Sequence, residues 1–148
     1  MELRIDEAHG DMDAVDLYED LREEDMLEIL GLMTHPRDAV VMSYATSSKC
    51  YSVKDEYNNL YCSFGVAPIK GTNIGSAWLL GTRRLPKIKK FFLQHSKERM
   101  EELLVGFDYL TNFVMRTNTL SIRWLEWLGA EFNDCHLDGY LSFILERK

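Results

Sequence analysis

Apolar and polar positions along this chain follow two rhythms, and the switches between them mark out its elements. From Met1 to about Ala8, Leu3 and Ile5 stand against charged neighbours, the period of two that a half-buried strand shows. A helical stretch follows. Asp11 and Asp13 are candidate caps before Ala14, Val15, Leu17 and Leu21, and Met26, Leu27, Ile29 and Leu30 form the apolar face of a second helix ending near Gly31. Pro36 suits the first turn of a third helix running to Ala45, despite the β-branched Val40 and Val41. From Cys50 the period returns to two: Tyr51 and Val53 alternate with polar residues, 55–59 is turn-rich, and Leu60, Cys62, Phe64 and Val66 mark one face of the next strand. After the turn at Pro68 and 71–73, residues 75–82 form the short apolar run expected of a central strand. A helix of about nineteen residues is predicted from Pro86, with Ile88, Phe92, Ser96, Met100 and Leu103 near one stripe.

The last third is the most sharply written. Tyr109 to Met115 is rich in aromatic and branched residues and predicts a strand. After an Arg-Thr-Asn loop, Leu120, Ser121, Trp124, Leu125 and Leu128 share one helical face, with Arg123 and Glu126 opposite and Gly129 as a left-handed stop. A strand near Phe132 and another over 140–145 close the chain. Crossover helices imply parallel neighbours and the meanders antiparallel ones. The expected fold is α/β, a mixed, mostly antiparallel central sheet flanked by helices.

With 148 residues, 46% hydrophobic and 28% charged, the chain suits one domain spanning 1–148. No apolar run reaches the ~18 residues of a membrane span, and the acidic start lacks signal-peptide character, so a soluble, intracellular protein is expected. Cys50, Cys62 and Cys135 read as free, packed thiols. The four histidines are scattered and form no metal-ligand set, and no Ser-His-Asp spacing, P-loop or His-Glu-x-x-His appears. The net charge of −7 is uneven: residues 1–31 hold 12 acidic and 2 basic side chains, which leaves +3 for the rest. An acidic N-terminal face argues against nucleic-acid binding, as does the restriction of aromatics near the basic stretch 83–90 to Phe91 and Phe92.

Asn118, Ser121, Ile122 and Gly129 match the pattern Asn-x-x-Ala/Ser-Ile-x-x-Tyr-x-x-x-Gly-Phe, and here the chain resembles the Gcn5-related N-acetyltransferases (GNAT). Asn112 in the strand and Ile122-Arg-Trp-Leu-x-x-Leu-Gly129 look closer still to one GNAT-like subset, the tailed-phage internal virion protein A family. The specific motifs fall within about 76–132.

The resemblance implies two splayed parallel strands, 76–80 and 110–114, and an acyl-coenzyme A whose pyrophosphate lies on backbone N–H groups at the start of the following helix. That places the cofactor contacts at Leu80, Gly81, Thr82, Arg83, Arg84, Lys87, Asn112 and Asn118. The family's Gln/Arg-x-x-Gly-x-Gly/Ala loop is degenerate here: Gly81 comes early, the later glycines are absent, and Pro86 removes an N–H. Arg83, Arg84, Lys87, Lys89 and Lys90 put five cations where the helix dipole disfavours them, a conflict that a bound anion would relieve and that a solvated basic end would tolerate.

The position of the family's proton-donating Tyr holds Leu125, and the central strand supplies only Ser76 and Thr82, with no Glu or His to act as base. Asn112 either bridges the splayed strands or contacts an acyl or pantetheine group. Asn118 caps its helix by accepting from the N–H of Leu120 or Ser121, or touches a ligand. The implied function is a role in virion assembly or as an internal virion or host-interaction protein, with phage or host proteins as partners, in the virion or host cytoplasm. The alternative is an active N-acyltransferase using acetyl-CoA or another acyl-CoA.

Overall fold

A computed structural model describes residues 1–147. Strand β1 (Leu3–Glu7) is followed by three helices, α1 (Gly10–Glu19), α2 (Glu23–Gly31) and α3 (Pro36–Thr46). The meander β2 (Lys49–Asp55), β3 (Leu60–Pro68) and β4 (Ile74–Gly81) comes next. A 3-10 turn (Leu85–Ile88) leads into α4 (Lys89–Leu104), then β5 (Tyr109–Met115), α5 (Thr119–Leu128), β6 (Glu131–Asp134) and β7 (Tyr140–Glu146). The seven strands form one sheet in the order β1-β2-β3-β4-β5-β7-β6. Every neighbouring pair is antiparallel except β4 and β5. This is the mixed, mostly antiparallel sheet that the two rhythms predict.

Helices cover both faces. Phe64, Phe92 and Trp124 stack edge-on or tilted with centroids 5.3–5.9 Å apart, joining the sheet to α4 and α5. On the other face Leu17, Leu21, Ile29 and Val40 from the first three helices and their loop meet Leu60 and Leu80. Here the core is partly polar. Asp13 is fully buried, with its carboxylate 2.7 Å from both Lys54 Nζ and Ser52 Oγ, and Ser52 continues through Ser63 to the Tyr44 hydroxyl.

Three expectations need correction. Helix α1 starts at Gly10 with His9 as its N-cap, and Asp13 reaches back to accept the His9 N–H at 2.9 Å; Asp11 is exposed and caps nothing. The long helix does not run from Pro86, because the ring and missing N–H of that proline fit a 3-10 turn and α4 proper begins at Lys89. Three of the four apolar residues expected on the inner face of α2 point outward: Met26, Leu27 and Leu30 are 36%, 48% and 49% exposed, whereas Ile29 is buried as expected and Asp25 is fully buried. A charged face turns inward because it meets partners contributed by distant strands and by α5.

Candidate functional site

Strands β4 and β5 pair at only three positions, Ile74 with Tyr109, Gly75 with Leu110 and Ser76 with Thr111, and then separate. Parting strands leave N–H and C=O groups on two edges, and each group needs a partner. Asn112 stands at the fork: its Nδ2 donates to the Ala77 carbonyl at 2.8 Å, and its Oδ1 accepts the N–H of Phe113 at 2.8 Å. Of its two readings, the bridge between strands describes these bonds.

Farther along, α2 supplies the partners. The Gly81 N–H donates to Asp25 Oδ2 at 2.8 Å, while the Gly81 carbonyl accepts the Arg22 N–H at 2.9 Å. On the facing edge the Met115 N–H donates to Glu28 Oε2 at 2.8 Å. Arg22, Asp25 and Glu28 recur every three residues, so one side of α2 faces the cleft.

Asn118 locks the set. It is the N-cap residue of α5, yet its fully buried side chain makes no capping bond. Its Oδ1 accepts from Arg22 Nη2 at 2.8 Å, and its Nδ2 donates to Asp25 Oδ1 and Glu28 Oε2, each at 3.1 Å. The Arg22 guanidinium, 3% exposed, also forks onto Asp25 through Nε and Nη2, both at 3.0 Å. The expected cap to Leu120 or Ser121 is absent because a buried cation and two carboxyls compete for the same amide more strongly than a helix N–H does.

Burial raises the Glu28 carboxyl to about 7, opposed by the Met115 N–H and abetted by the Asp25 charge. Burial works against the Arg22 charge, but the hydrogen bond and charge of Asp25 outweigh it and raise that group. A carboxyl titrating near neutrality can take up and return a proton. Beside it, between the strands, lies a cavity of about 170 Å³ walled by Trp78, Leu79, Asn112, Phe113, Ser121 and Leu125 among others. The Ser121 hydroxyl is buried there with no hydrogen-bond partner among the described residues.

A second pocket of about 360 Å³ lies where α4 and α5 begin, walled by Arg22, Lys89, Lys90, Phe92, Arg123 and Trp124 among others. Lys89 and Lys90 of the basic cluster reach it. Arg83 and Arg84 turn instead toward Asp20, at 3.9 and 3.8 Å, and Lys87 is exposed elsewhere. The backbone of the preceding turn is engaged internally: Thr82 N–H bonds Tyr61 O, Arg83 N–H bonds Asp20 O, Arg84 N–H bonds Thr82 Oγ1, Leu85 N–H bonds Thr82 O and Lys87 N–H bonds Arg84 O. Leu80 and Thr82 are buried, and a Cβ on Gly81 would come within 2.5 Å of Leu85 Cδ2, so this glycine is required by packing. The predicted residues therefore divide: Leu80, Asn112 and Asn118 gather at the fork, Gly81 and Thr82 anchor the turn, and Arg83, Arg84 and Lys87 lie outside both pockets.

Sequence reading missed Arg22, Asp25 and Glu28. Two signals were present: Arg22 is the only Lys or Arg between Ile5 and Pro36, and the three residues share a helical face. Leu125, in the position where the family keeps its Tyr, is buried against the cavity, and Trp124 Nε1 donates to Ser96 Oγ at 2.9 Å.

No protein-family model matches the chain, and no curated protein matches it. Solved structures do. The GNAT domain of S. lividans PAT is 13% identical over 98% of this chain and 90% of that one, with a TM-score of 0.71. A Bacillus subtilis acetyltransferase solved in complex with CoA is 14% identical over 99% of this chain and all of that one, with a TM-score of 0.65. A GNAT-family acetyltransferase from Bacillus anthracis is 15% identical over 97% and 93%, with a TM-score of 0.63. The fold of this chain is GNAT-like.

Proposed function

We propose that this chain is a single GNAT-like domain, residues 1–148, that works by binding other proteins, its ancestral acyl-coenzyme A slot closed from within. One observation carries this reading: Arg22, Asp25, Glu28 and Asn118 occupy one another and the free strand edges at the fork, where a pantetheine arm would have to lie. The turn before α4 adds to it, because a phosphate there would find its N–H groups already bonded and Pro86 without one. Leu125 offers no proton to a departing thiolate. The fork and this turn therefore do not fit the pantetheine arm and pyrophosphate of the coenzyme. The motif resemblance over 76–132 to phage internal virion protein A supports phage or host proteins as partners, during particle assembly or in the host cytoplasm.

The alternative, an N-acyltransferase using acetyl-CoA or another acyl-CoA, is favoured by Glu28, whose carboxyl sits beside the cavity at about 7. Calorimetric titration of acetyl-CoA into the purified protein separates the two. The expected result is no saturable heat up to about 1 mM, a limit corresponding to roughly −4 kcal/mol. Saturable micromolar binding, weakened by Lys89→Ala/Lys90→Ala, would establish the coenzyme site and sink the closed-slot reading.

A further inference from the structure

The first three helices bury Asp13 and Asp25 beside Leu17, Ile29 and Val40, and leave other apolar residues exposed. Along α1, Ala14, Val15 and Tyr18 follow the spacing of one helical face, and along α3 Val41, Tyr44 and Ala45 do the same. Together they wall a groove of about 550 Å³ between the two helices. Ala14 and Tyr44 pack partly against the inner core, whereas Val15 is 55% exposed, Val41 50% and Tyr18 38%, so the outer part of the stripe is left open. The inner stripe is Asp13 and Leu17 on α1 and Val40 on α3. A second apolar stripe left open on paired helices is a surface awaiting a partner.

Charge specifies what kind. Asp11 and Glu19 wall the groove together with Arg37, the lone cation, and exposed Asp16 and Asp38 on the same two helices add to the acidic excess. A second copy would bring the same acids to the groove and be repelled. A helix with an apolar face and a cationic rim would match both features, laying anchors at i, i+3, i+4 and i+7 between α1 and α3.

We propose that the α1–α3 groove receives a cationic amphipathic helix of a partner protein. This rests on the reading that the chain works by binding proteins, and it names the surface and the partner's chemistry. The probe is a synthetic peptide of about 18 residues, long enough to form helix, with leucine at helical spacing and lysine elsewhere. Its controls are the same composition in an order without helical period and a glutamate-for-lysine version. Titrated into the wild-type protein, the probe should bind saturably one to one. The affinity should fall at least about tenfold in Val15→Gln/Val41→Gln, whose sites are too exposed to endanger folding, and fall again when Asp11→Asn/Glu19→Gln is tested or salt is raised.

The proposal is overturned if the disordered-period peptide binds equally, if the glutamate version binds as well, or if the valine variant binds as tightly as wild type. It is also overturned if sedimentation shows wild type self-associating through the valines, for then a second copy fills the groove. Acetyl-CoA titrated into the same samples reports on the closed slot separately: coenzyme binding alone refutes that reading, and peptide indifference alone refutes the groove.

Discussion

At the scale of single residues, Glu28 and the Arg22–Asp25 pair set the energetics of the fork. The Glu28 carboxyl is raised from 4.5 to about 7, chiefly by burial. A group bound more tightly to its proton in the folded state stabilises folding fully below its unfolded pKa, and that contribution is lost as pH rises to the folded value. The window is therefore about 4.5 to about 7. Urea unfolding at intervals across it should show wild type losing on the order of 2 kcal/mol attributable to this group, and Glu28→Gln should flatten that slope, since an amide oxygen still accepts from Met115 and Asn118. A parallel slope in the variant would show that other groups govern it. The ion pair behaves differently. Arg22→Met leaves Asp25 charged and buried without its cation and should cost about 3–5 kcal/mol, whereas replacing both partners with apolar residues should recover part of the loss. If the double variant is no more stable than Arg22→Met, the carboxylate is not the source of the penalty.

At the scale of elements, α5 and α2 mark what the sequence reveals and what it conceals. The α5 pattern is complete within ten residues: an Asn before it, one apolar face, and Gly129 at φ 92°, where only a glycine rests easily. Its buried side is the predicted one, with Trp124 and Leu125 2% and 3% exposed and Leu128 half-buried. Leu125→Ala should accordingly cost about 2–5 kcal/mol, Leu128→Ala less, and Trp127→Ala, 55% exposed, no more than about 0.5 kcal/mol. Thermal melts that reverse this order would contradict the packing. Helix α2 shows the same period, yet Asp25 turns inward beside Ile29 while Met26, Leu27 and Leu30 turn out, and a period cannot reveal which face is buried. That depends on partners at Gly81, Met115 and Asn118, the last 93 residues from Asp25. Local pattern therefore predicted strands and helices, and the motif resemblance implied the parting of β4 from β5. The polar lock stayed hidden because its members become neighbours only once the sheet has formed.

At the scale of the whole molecule, the sheet is two antiparallel units, β1 to β4 and β5 with β7 and β6, joined by a three-position parallel ladder. So short a seam holds little by itself. What reinforces it is polar: Asn112 to the Ala77 carbonyl, α2 to both strand edges, Asn118 to α2, and the Tyr140 hydroxyl to the Glu28 carbonyl at 2.5 Å. Closing the fork and joining the halves are then one act, in which Asp25, Glu28 and Asn118 take part in both. Asn118→Leu removes the central amide, leaves the Arg22 fork on Asp25 without its third partner, and touches no strand residue. If the lock couples the halves, hydrogen exchange in this variant should accelerate most in β5 and β7, by at least about tenfold over any change in β2 and β3, because sub-global opening of the C-terminal unit would no longer require breaking the network. Equal acceleration throughout would mean that the core packing of α4 and α5 across the seam, and not the polar lock, makes the molecule open as one.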